Sequence, residues 1–246
     1  MFKIKNYISK IINVFGYQIQ RYSSNSLNVK EPFYHFRNML KNIENPIIFD
    51  IGAYVGDTVE LFKKSFSESN IHAFEPFSVS FDKLNKRFIR TEKIFLNNMA
   101  VGDSTGVKRR MYITKNKGSS SLLQPEKNAN IFWQGNPLLI EKKLEVETIT
   151  IDYYCQKNNI EKIDLLKIDV QGNEIEVLKG AEQMLKNRKV KLIFTEISIA
   201  PNYKGQTDID VLIKLLKGYK YTSFNFFKMK HKDGKLIECD VLFYRG

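Results

Sequence analysis

The sequence predicts an α/β fold in which a mostly parallel sheet carries helices on both faces. Three observations lead to this prediction. From Pro46 onward, short apolar runs alternate with segments of helical periodicity. The apolar runs lack the polar–apolar alternation of half-exposed strands, which is typical of strands buried on both sides. Finally, residues 219–227 and 238–244 have strand character and flank a turn at 231–234, which predicts a terminal hairpin with one antiparallel strand.

Residues 1–45 are predicted to form a helical extension ahead of the main domain, which spans residues 46–246. An apolar stripe at helical spacing, mixed with lysines, occupies residues 1–15, and no acidic residue precedes Glu31. Such a stripe can pack on its own domain or on a partner subunit. It can also make peripheral contact with an anionic membrane surface. The sequence leaves these alternatives open.

Hydrophobic periodicity predicts the order of strands and helices in the main domain. Strands are predicted at residues 47–51, 71–75, 94–98, 163–169 and 190–196. Helices are predicted at residues 57–68, 78–88, 174–187 and 208–217. Asp57 and Glu60 have the spacing of a capping box at the first of these helices. Residues 107–150 interrupt the order with short strands around an irregular loop, which makes them the candidate substrate region.

The segment that begins at Ile47 has the form of a nucleotide-cofactor cradle. A buried strand carries Asp50 near its end, and Gly52 and Gly56 follow in an Asp-x-Gly-x-x-x-Gly pattern. Glycines permit positive φ and a close approach to a ligand, and a helix that starts at once aims free N–H groups at it. The pattern has one close glycine fewer than that of dinucleotide binders, which favours S-adenosylmethionine over NAD.

Acidic residues mark the ends of further predicted strands. Glu75 lies 23 residues beyond Gly52. An acid about 20 residues after such a turn can accept both ribose hydroxyls of a nucleoside. Asp50, Asp169 and Glu196 also lie at strand ends. The ligand crevice of an open α/β sheet lies at this edge, so the four acids are candidate site residues.

Two charged residues lie within the fourth predicted strand. Lys167 and Asp169 share one face, because side chains of a strand alternate with a period of two. Burying either charge alone would cost several kcal/mol. Each is therefore expected to have a charged partner or to line a polar cleft.

The composition limits the compartment and the partners. The formal net charge is +12, and the two cysteines, Cys155 and Cys239, lack Cys-x-x-Cys spacing. This predicts neither a disulfide framework nor a zinc site, and it favours the cytoplasm, with the inner face of the membrane as an alternative. The positive charge attracts anionic partners, although scattered lysines do not favour nucleic acid. No apolar run approaches the ~20 residues that span a membrane.

The ordered set of motifs resembles the FkbM family of S-adenosylmethionine-dependent methyltransferases. The motifs are Asp50-x-Gly52-x-x-x-Gly56, then Ala73-Phe74-Glu75-Pro76, then Lys167-Ile168-Asp169-Val170-Gln171-Gly172-Asn173-Glu174. The resemblance implies a Rossmann-like class I methyltransferase fold with a seven-stranded sheet whose last hairpin is reversed. It also implies O-methylation of a small hydroxylated acceptor. Two departures are Tyr54, where the family usually has Asn, and Gln171, which replaces the common Glu and removes a carboxylate.

The resemblance also implies roles for individual residues. The implied cofactor-binding residues are Asp50, Gly52, Ala53, Tyr54, Gly56, Glu75, Pro76, Asn98, Ala100 and Asp169. Within this set, Asp50 would organise the glycine turn, Glu75 would bind the ribose, and Asn98 and Ala100 would face adenine. The candidate general bases are Asp169, Glu174 and Glu196, and Asp169 is favoured because it falls closest to the expected methyl group. The candidate acceptor contacts are Ser120, Ser121 and Trp133.

The expected function is S-adenosylmethionine-dependent O-methylation of a sugar or glycan precursor. The basic charge of the chain suggests that this acceptor is phosphorylated, nucleotide-linked or lipid-linked. Acids at strand ends can hold Mg²⁺ through oxygen ligands, but a third ligand cannot be identified, so no metal-binding residue is predicted. An RNA methyltransferase and a non-catalytic scaffold that kept the cofactor fold are the alternatives. The sequence predicts no oligomeric state.

Overall fold

The computed structural model describes residues 31–245, with only the backbone for Asn130. The chain divides into two compact units, residues 1–36 and residues 37–246. Helix α1 (Pro32–Leu40) begins in the first unit and is the first helix of the described residues. The apolar stripe predicted for residues 1–15 lies outside the described residues. The predicted domain boundary after residue 45 stays a prediction.

The second unit alternates strands and helices, as the sequence predicts. The strands are β1 (Ile47–Ile51), β2 (Asn70–Phe74), β3 (Ile94–Asn97), β4 (Ala100–Val101), β5 (Lys108–Thr114), β6 (Ile140–Ile149), β7 (Ile163–Ile168), β8 (Val190–Ser198), β9 (Tyr221–Lys232) and β10 (Lys235–Arg245). The α-helices are α2 (Asp57–Ser65), α3 (Ser78–Phe88), α4 (Ile151–Lys157), α5 (Glu174–Lys179), α6 (Glu182–Lys186) and α7 (Ile209–Gly218). None of the helices within residues 31–245 combines the length and hydropathy of a membrane-crossing helix.

Seven strands form one sheet in the order β3-β2-β1-β7-β8-β10-β9. The pairs from β3 to β8 are parallel, whereas β10 runs antiparallel to both β8 and β9. The predicted class I methyltransferase fold, with its mostly parallel sheet and reversed terminal hairpin, is confirmed. Because the strand order changes direction at β1, the carboxyl ends of β1 and β7 open a crevice for a ligand.

The centre of the sheet is buried on both faces, which explains the uninterrupted apolar runs. Phe49, Ile51, Phe74, Leu166 and Ile168 are at most 1% exposed and belong to one continuous core. Burying one such side chain contributes about 1.5–3 kcal/mol relative to leaving it in water. The core therefore holds the strand ends of the crevice in fixed register.

Helix α2 begins differently from the prediction. Its N-cap residue is Gly56, with a φ of 91° and no side-chain cap hydrogen bond. Asp57 and Glu60 instead form ion pairs with Arg87 of α3, at 2.7 Å and 2.6 Å. Arg87 also donates to the carbonyl oxygen of Val55 at 2.6 Å. The predicted capping box is wrong because an arginine from the next helix takes both carboxylates.

Three further elements differ from the prediction in detail. The helix predicted at 174–187 is divided into α5 and α6 near Gly180, where a Cβ atom would lie 2.0 Å from the carbonyl oxygen of Gly102. Helix α4 was not predicted, and the Thr150 side chain caps it. The terminal turn is shorter than predicted: Asp233 and Gly234 alone join β9 to β10, with φ values of 50° and 74°. Two residues with positive φ suit a tight hairpin turn.

The inserted region forms a second, smaller sheet in the order β4-β6-β5. The loop between β5 and β6 carries two short 3₁₀ helices, Lys117–Ser119 and Ala129–Ile131. Hydrogen bonds attach this loop to the edge of the main sheet where β7 and β8 end. Ser121 Oγ donates to the carbonyl oxygen of Gln171 at 2.8 Å, and the Tyr203 hydroxyl donates to that of Ser119 at 2.7 Å. The insertion thus lies beside the crevice.

Candidate active site

A buried ion pair supports the glycine turn after β1. Lys167 Nζ lies 2.8 Å from Asp50 Oδ1, and both side chains are buried. The ammonium also donates to the carbonyl oxygen of Gly52 at 2.9 Å. Burial alone would lower the pKa of Lys167, but the charges of Asp50 and Asp169 raise it above its ordinary value. The sequence predicts that Lys167 has a charged partner or lines a polar cleft, and the structure shows the charged partner.

The two glycines of the turn meet different packing requirements. Gly52 has a φ of +79°, and a Cβ atom there would lie 1.9 Å from the carbonyl oxygen of Asp169. Gly56 has a φ of +91°, and its Cβ would lie 2.5 Å from the ring of Phe88. Gly52 therefore allows the ends of β1 and β7 to approach each other, whereas Gly56 allows α3 to pack on the turn.

Glu75 is fixed at the end of β2 by backbone hydrogen bonds. Its Oε2 accepts from the N–H of Tyr54 at 3.0 Å and its Oε1 from the N–H of Phe77 at 2.8 Å. Burial raises the pKa of Glu75 to about 7, although both N–H groups oppose this shift. The side-chain amide of Asn98 donates to the carbonyl oxygens of Glu75 and Pro76. The turn is thus rigid, and lone pairs of the carboxylate remain for further donors.

A cavity of about 260 Å³, the first cavity, lies at the ends of β1, β2 and β7. Its apolar wall includes Phe74, Met99, Met111 and Leu122. Seven of the predicted cofactor-binding residues line it, namely Gly52, Ala53, Tyr54, Glu75, Pro76, Ala100 and Asp169. The other three predicted residues, Asp50, Gly56 and Asn98, do not line the cavity. Each contacts a residue in or beside the turns that surround the cavity. The roles of all ten residues stay predictions.

A second cavity of about 260 Å³ adjoins the first. Gly118, Asp169 and Gln171 line both. The rest of its polar lining comes from the inserted loop, from β8 and the segment after it, and from the terminal hairpin: Asn116, Ser119, Trp133, Glu196, Asn202, Tyr203, Lys230 and Glu238. The two cavities therefore have a common wall.

Gln171 connects the acids of that wall. Its Nε2 donates to Asp169 Oδ1 at 2.8 Å and to Glu196 Oε1 at 2.6 Å. The Tyr203 hydroxyl, whose single proton also faces the carbonyl oxygen of Ser119, lies 3.0 Å from Gln171 Oε1. Burial, and then the charges of Asp169 and Glu238, raise the pKa of Glu196 well above its ordinary value. A neutral amide thus separates two carboxylates that would otherwise repel each other.

Of the three candidate bases, Asp169 and Glu196 line the second cavity, and Glu174 lines neither. Glu174 is buried, and its Oε1 accepts from the N–H of Gly172 at 2.9 Å. Burial raises the pKa of Glu174 to about 7. The carboxylate of Glu174 is thus hydrogen-bonded to the backbone of the turn that precedes α5.

The candidate acceptor contacts lie in both cavities. Ser120 and Ser121 line the first cavity, but both hydroxyls already have local partners. Ser120 Oγ accepts from the N–H of Thr114 at 3.2 Å, and Ser121 Oγ accepts from that of Leu123 at 3.0 Å. Trp133 lines the second cavity.

Outside the inserted region, which was predicted as a substrate region without naming Asn116 or Ser119, sequence reasoning missed Asn202, Tyr203, Lys230 and Glu238 of the second cavity. Asn202 and Tyr203 follow β8 in a segment without periodicity. Lys230 and Glu238 are cross-strand partners in the hairpin. A lysine and a glutamate in a terminal hairpin are typical of an exposed sheet face, so the sequence carries no signal for them. Among the described residues, no group of three or more His, Cys, Asp and Glu side chains is arranged to hold a metal ion.

The chain is similar to several known methyltransferases. It is 26% identical over 186 residues to the 2-O-methyltransferase NoeI of Sinorhizobium fredii, an alignment that covers 72% of this chain and 73% of that protein. It is 30% identical over 159 residues to methyltransferase sdnD of Sordaria araneosa, covering 56% and 61%. It is 24% identical over 166 residues to the hexuronic acid methyltransferase AglP of Haloferax volcanii, covering 68% and 62%. The chain thus spans less than two thirds of the last two relatives.

Solved structures resemble the chain more distantly. An rRNA methylase from Streptococcus thermophilus aligns with a TM-score of 0.48 at 12% identity, over 88% of this chain and 98% of that chain. Magnesium protoporphyrin IX methyltransferase from Synechocystis aligns with a TM-score of 0.47 at 8% identity, over 98% and 97%.

The sequence model of the Methyltransferase FkbM domain matches residues 50–223. The match contains the glycine turn, Glu75, Gln171 and Glu196, and it ends before the hairpin residues of the second cavity. It covers well over half of the chain. The chain therefore belongs to the FkbM family of S-adenosylmethionine-dependent methyltransferases.

Proposed function

We propose that this methyltransferase transfers a methyl group to a hydroxyl oxygen of a sugar or glycan precursor. The observation that carries the proposal is the common wall of the two cavities, which Asp169 and Gln171 form. A methyl donor in the first cavity and a hydroxyl in the second would meet at this wall. Holding the two reactants about 3 Å apart and aligned supplies much of the rate of such a transfer.

The residues of the first cavity fit S-adenosylmethionine. Glu75 would accept the ribose hydroxyls, the apolar wall around Met99 would contact adenine, and Asp169 would attract the positively charged amino group. Since the charge of Lys167 is offset by Asp50, Glu75 and Asp169 leave this cavity suited to a cationic ligand. When bound, the cofactor supplies a methyl group on a positively charged sulfur, which is already an activated donor.

During methyl transfer the acceptor hydroxyl must lose its proton, and Glu196 is the residue we assign to hold it. Its raised pKa increases the proton affinity of the carboxylate, which suits a general base near neutral pH. Gln171 donates to Oε1 and so orients the carboxylate. Oε2 is the oxygen that would take the proton. Asp169 lines both cavities and is assigned to the cofactor, which leaves Glu196 as the base.

Two further observations support a sugar acceptor. One relative is named as a 2-O-methyltransferase, which indicates an oxygen acceptor, and another as a hexuronic acid methyltransferase, which indicates a sugar acid. Trp133 offers a flat apolar surface against which the ring of a sugar can pack.

The two alternative functions fit the chain less well. A cavity lined by several carboxylates does not suit the polyanionic backbone of RNA. Membership of an enzyme family favours catalysis over the non-catalytic scaffold.

Calorimetry with S-adenosylmethionine tests the first cavity. Glu75→Gln keeps the shape of the side chain but removes the charge and one of the two oxygens that accept from the N–H groups of Tyr54 and Phe77. We expect a roughly 10- to 100-fold weaker Kd, which corresponds to losing hydrogen bonds to a charged acceptor. Glu68→Gln is the matched control, because Glu68 forms an exposed ion pair with Lys93 at 2.7 Å. An unchanged Kd in Glu75→Gln contradicts the ribose assignment.

Transfer of labelled methyl groups tests the reaction itself. The protein is incubated with labelled S-adenosylmethionine and with fractionated cell extract that supplies sugars, nucleotide sugars and RNA, and mass spectrometry identifies the product. The expected product is a sugar with one additional methyl group on oxygen. Label recovered only in RNA would favour the RNA methyltransferase instead.

A further inference from the structure

The second cavity has a charge pattern that restricts its acceptor. We infer that it binds an uncharged sugar and rejects one that carries a carboxylate or a phosphate. This inference rests on the proposed function and goes beyond it by assigning the charge of the acceptor and the residues that select it. It also replaces the expectation, drawn from the net charge, of a phosphorylated acceptor.

Carboxylates dominate the wall of this cavity. Asp169, Glu196 and Glu238 line it, and among the described residues of its lining Lys230 is the one cation. If Glu196 holds a proton, two negative charges still face one positive charge. Like charges within a few ångströms repel strongly at the reduced dielectric of a partly enclosed site. An anionic acceptor would therefore enter against the local field.

The cation of the cavity is already engaged. Lys230 Nζ forms an ion pair with Glu238, whose side chain is 10% exposed. The same ammonium lies 5.3 Å from the centre of the Trp133 ring, within the range of a cation–π contact. The neighbouring cation, Lys228, is paired with the buried Asp240 at 3.0 Å. An anion at Lys230 would have to share the ammonium with Glu238.

The remaining groups suit neutral hydroxyls. Trp133 is held by a hydrogen bond from its Nε1 to Asn202 Oδ1 at 2.8 Å, and it packs in an apolar cluster with Leu138 and Tyr203. Asn116 and Asn202 line the cavity with amides that have local partners, Ser119 and Gly118 for Asn116 and Trp133 and Ser198 for Asn202. Each amide has a second N–H and a second lone pair, which can serve sugar hydroxyls. An apolar surface beside neutral donors and acceptors matches an uncharged pyranose.

The selectivity would be a property of this chain's own hairpin. Lys230 and Glu238 lie beyond residues 50–223, the part that matches the family. The overall charge of +12 acts at long range and is screened by salt. The local carboxylates act at contact distance, so they decide which bound acceptor is stable.

The protein contains a single tryptophan, and it lines the second cavity. Its fluorescence therefore reports binding there in the intact chain. The probes are methyl β-D-glucopyranoside and methyl β-D-glucopyranosiduronate, each titrated with S-adenosylhomocysteine present. They differ only at C6, which is a neutral hydroxymethyl group in the first and a carboxylate in the second. We expect the neutral glucoside to bind more tightly, by a factor on the order of ten or more. Equal or tighter binding of the uronate, or a fluorescence change with neither probe, overturns the inference.

Calorimetry with S-adenosylmethionine on the same preparation tests the proposed function separately. Cofactor binding and methyl transfer without the charge preference overturn only this inference. Absence of cofactor binding overturns the proposed function, whatever the sugars do.

Glu238→Gln tests the assigned residues directly. The variant releases Lys230 and makes the cavity more positive by one charge, so the uronate should bind more tightly by a factor on the order of ten. Glu182→Gln is the matched control, because Glu182 forms a surface pair with Lys186 at 2.8 Å and lines neither cavity. Lys230→Gln, at a half-exposed position, should widen the preference for the glucoside. An unchanged preference in both hairpin variants overturns the assignment.

Discussion

The two cavities differ in how the chain builds them. The first takes most of its polar wall from short motifs directly after β1, β2 and β7, to which the inserted loop adds Lys117, Ser120 and Ser121, so its position follows mainly from the order of the strands. The second combines residues from the inserted loop, the segment after β8 and the terminal hairpin, which are far apart in sequence. The first cavity thus depends on the central sheet, whereas the second depends on how peripheral segments meet at its edge.

Their electrostatics differ as well. Beneath the first cavity, the buried Lys167 is matched by Asp50 and held to the backbone of the glycine turn. Around the second cavity, the described carboxylates outnumber the cations. The neutral amide of Gln171 lies between two of these carboxylates and donates a hydrogen bond to each. We therefore expect changes below the first cavity to reduce stability and cofactor binding together. Changes at the second should reduce turnover while the fold and the cofactor site persist.

The largest effect is expected from Lys167→Met. The variant leaves Asp50 as an uncompensated buried charge, and removing one partner of a buried pair destabilises a protein by about 3–5 kcal/mol. Urea unfolding measures this loss, and calorimetry should show that S-adenosylmethionine binding is lost as well.

Lys64→Met is the control for this change. Lys64 pairs with Glu60 in an exposed i, i+4 arrangement, so the free energy of unfolding should fall by at most about 0.5 kcal/mol. Similar losses in the two variants would show that burial of the Lys167 pair has no special importance for the turn.

Glu196→Gln should separate the two cavities most clearly. Loss of a general base typically reduces kcat about 100- to 10,000-fold. The Kd of S-adenosylmethionine should stay unchanged, because Glu196 lines only the second cavity. A full loss of cofactor binding would mean that the cavities are not independent.

The pH profile provides a second test of Glu196. Only the deprotonated carboxylate can accept a proton, and the pKa of Glu196 is raised by burial and by the charges of Asp169 and Glu238. The kcat of the wild type should therefore fall with decreasing pH well above the ordinary titration range of glutamate. The residual activity of Glu196→Gln should lack this acidic limb.

The difference between the cavities also explains what the sequence could predict. Uninterrupted apolar runs identify the central strands, and acids and glycines that follow such runs must meet at one edge of a parallel sheet. This logic led to Glu75, Asp169 and Glu196, and the structure brings all three to the two cavities. The burial of Lys167 was predictable for the same reason, because its neighbours in the strand are apolar.

Contacts between distant segments could not be predicted in this way. Arg87 takes the carboxylates of the expected capping box only because α3 packs beside α2. Lys230 and Glu238 reach the second cavity only because β10 inserts between β8 and β9. Local propensity carries no information about such packing, and a charged pair in a hairpin resembles an ordinary exposed face.

His72 in the central sheet makes the folding stability depend on pH. It lies in β2, is 6% exposed and is hydrogen-bonded to the Tyr154 hydroxyl at 2.9 Å. Burial lowers the pKa of His72 to about 4. The unfolded chain, with an ordinary pKa near 6.5, therefore binds the proton first as the pH falls, and folding stability is lost between these two values.

The size of this effect can be measured with His72→Gln. Between pH 7.5 and pH 5, we expect the histidine to remove about 2 kcal/mol from the free energy of unfolding. Gln keeps a hydrogen-bonding group near Tyr154 but has no proton to bind in this range. Urea unfolding at both pH values should therefore show a smaller acid-induced loss in the variant, and an equal loss would contradict the buried, neutral state of His72.

The smallest effect is expected at the hairpin turn that supports the second cavity. Gly234 has a φ of +74° and open space around its Cβ position, so Gly234→Ala tests backbone conformation alone. Forcing alanine into the left-handed region should reduce stability by about 1 kcal/mol. Gly218→Ala, at the end of α7 and also in open space, is the control and should be neutral or slightly stabilising.

Binding measurements on Gly234→Ala then test whether the cavities are separable. Because the turn lies in the hairpin that carries Lys230 and Glu238, a strained turn should weaken acceptor binding slightly. The Kd of S-adenosylmethionine should not change, since β1, β2 and β7 form the first cavity without β9 or β10. A variant that weakened cofactor binding as much as acceptor binding would show that the hairpin and the central strands respond as one unit.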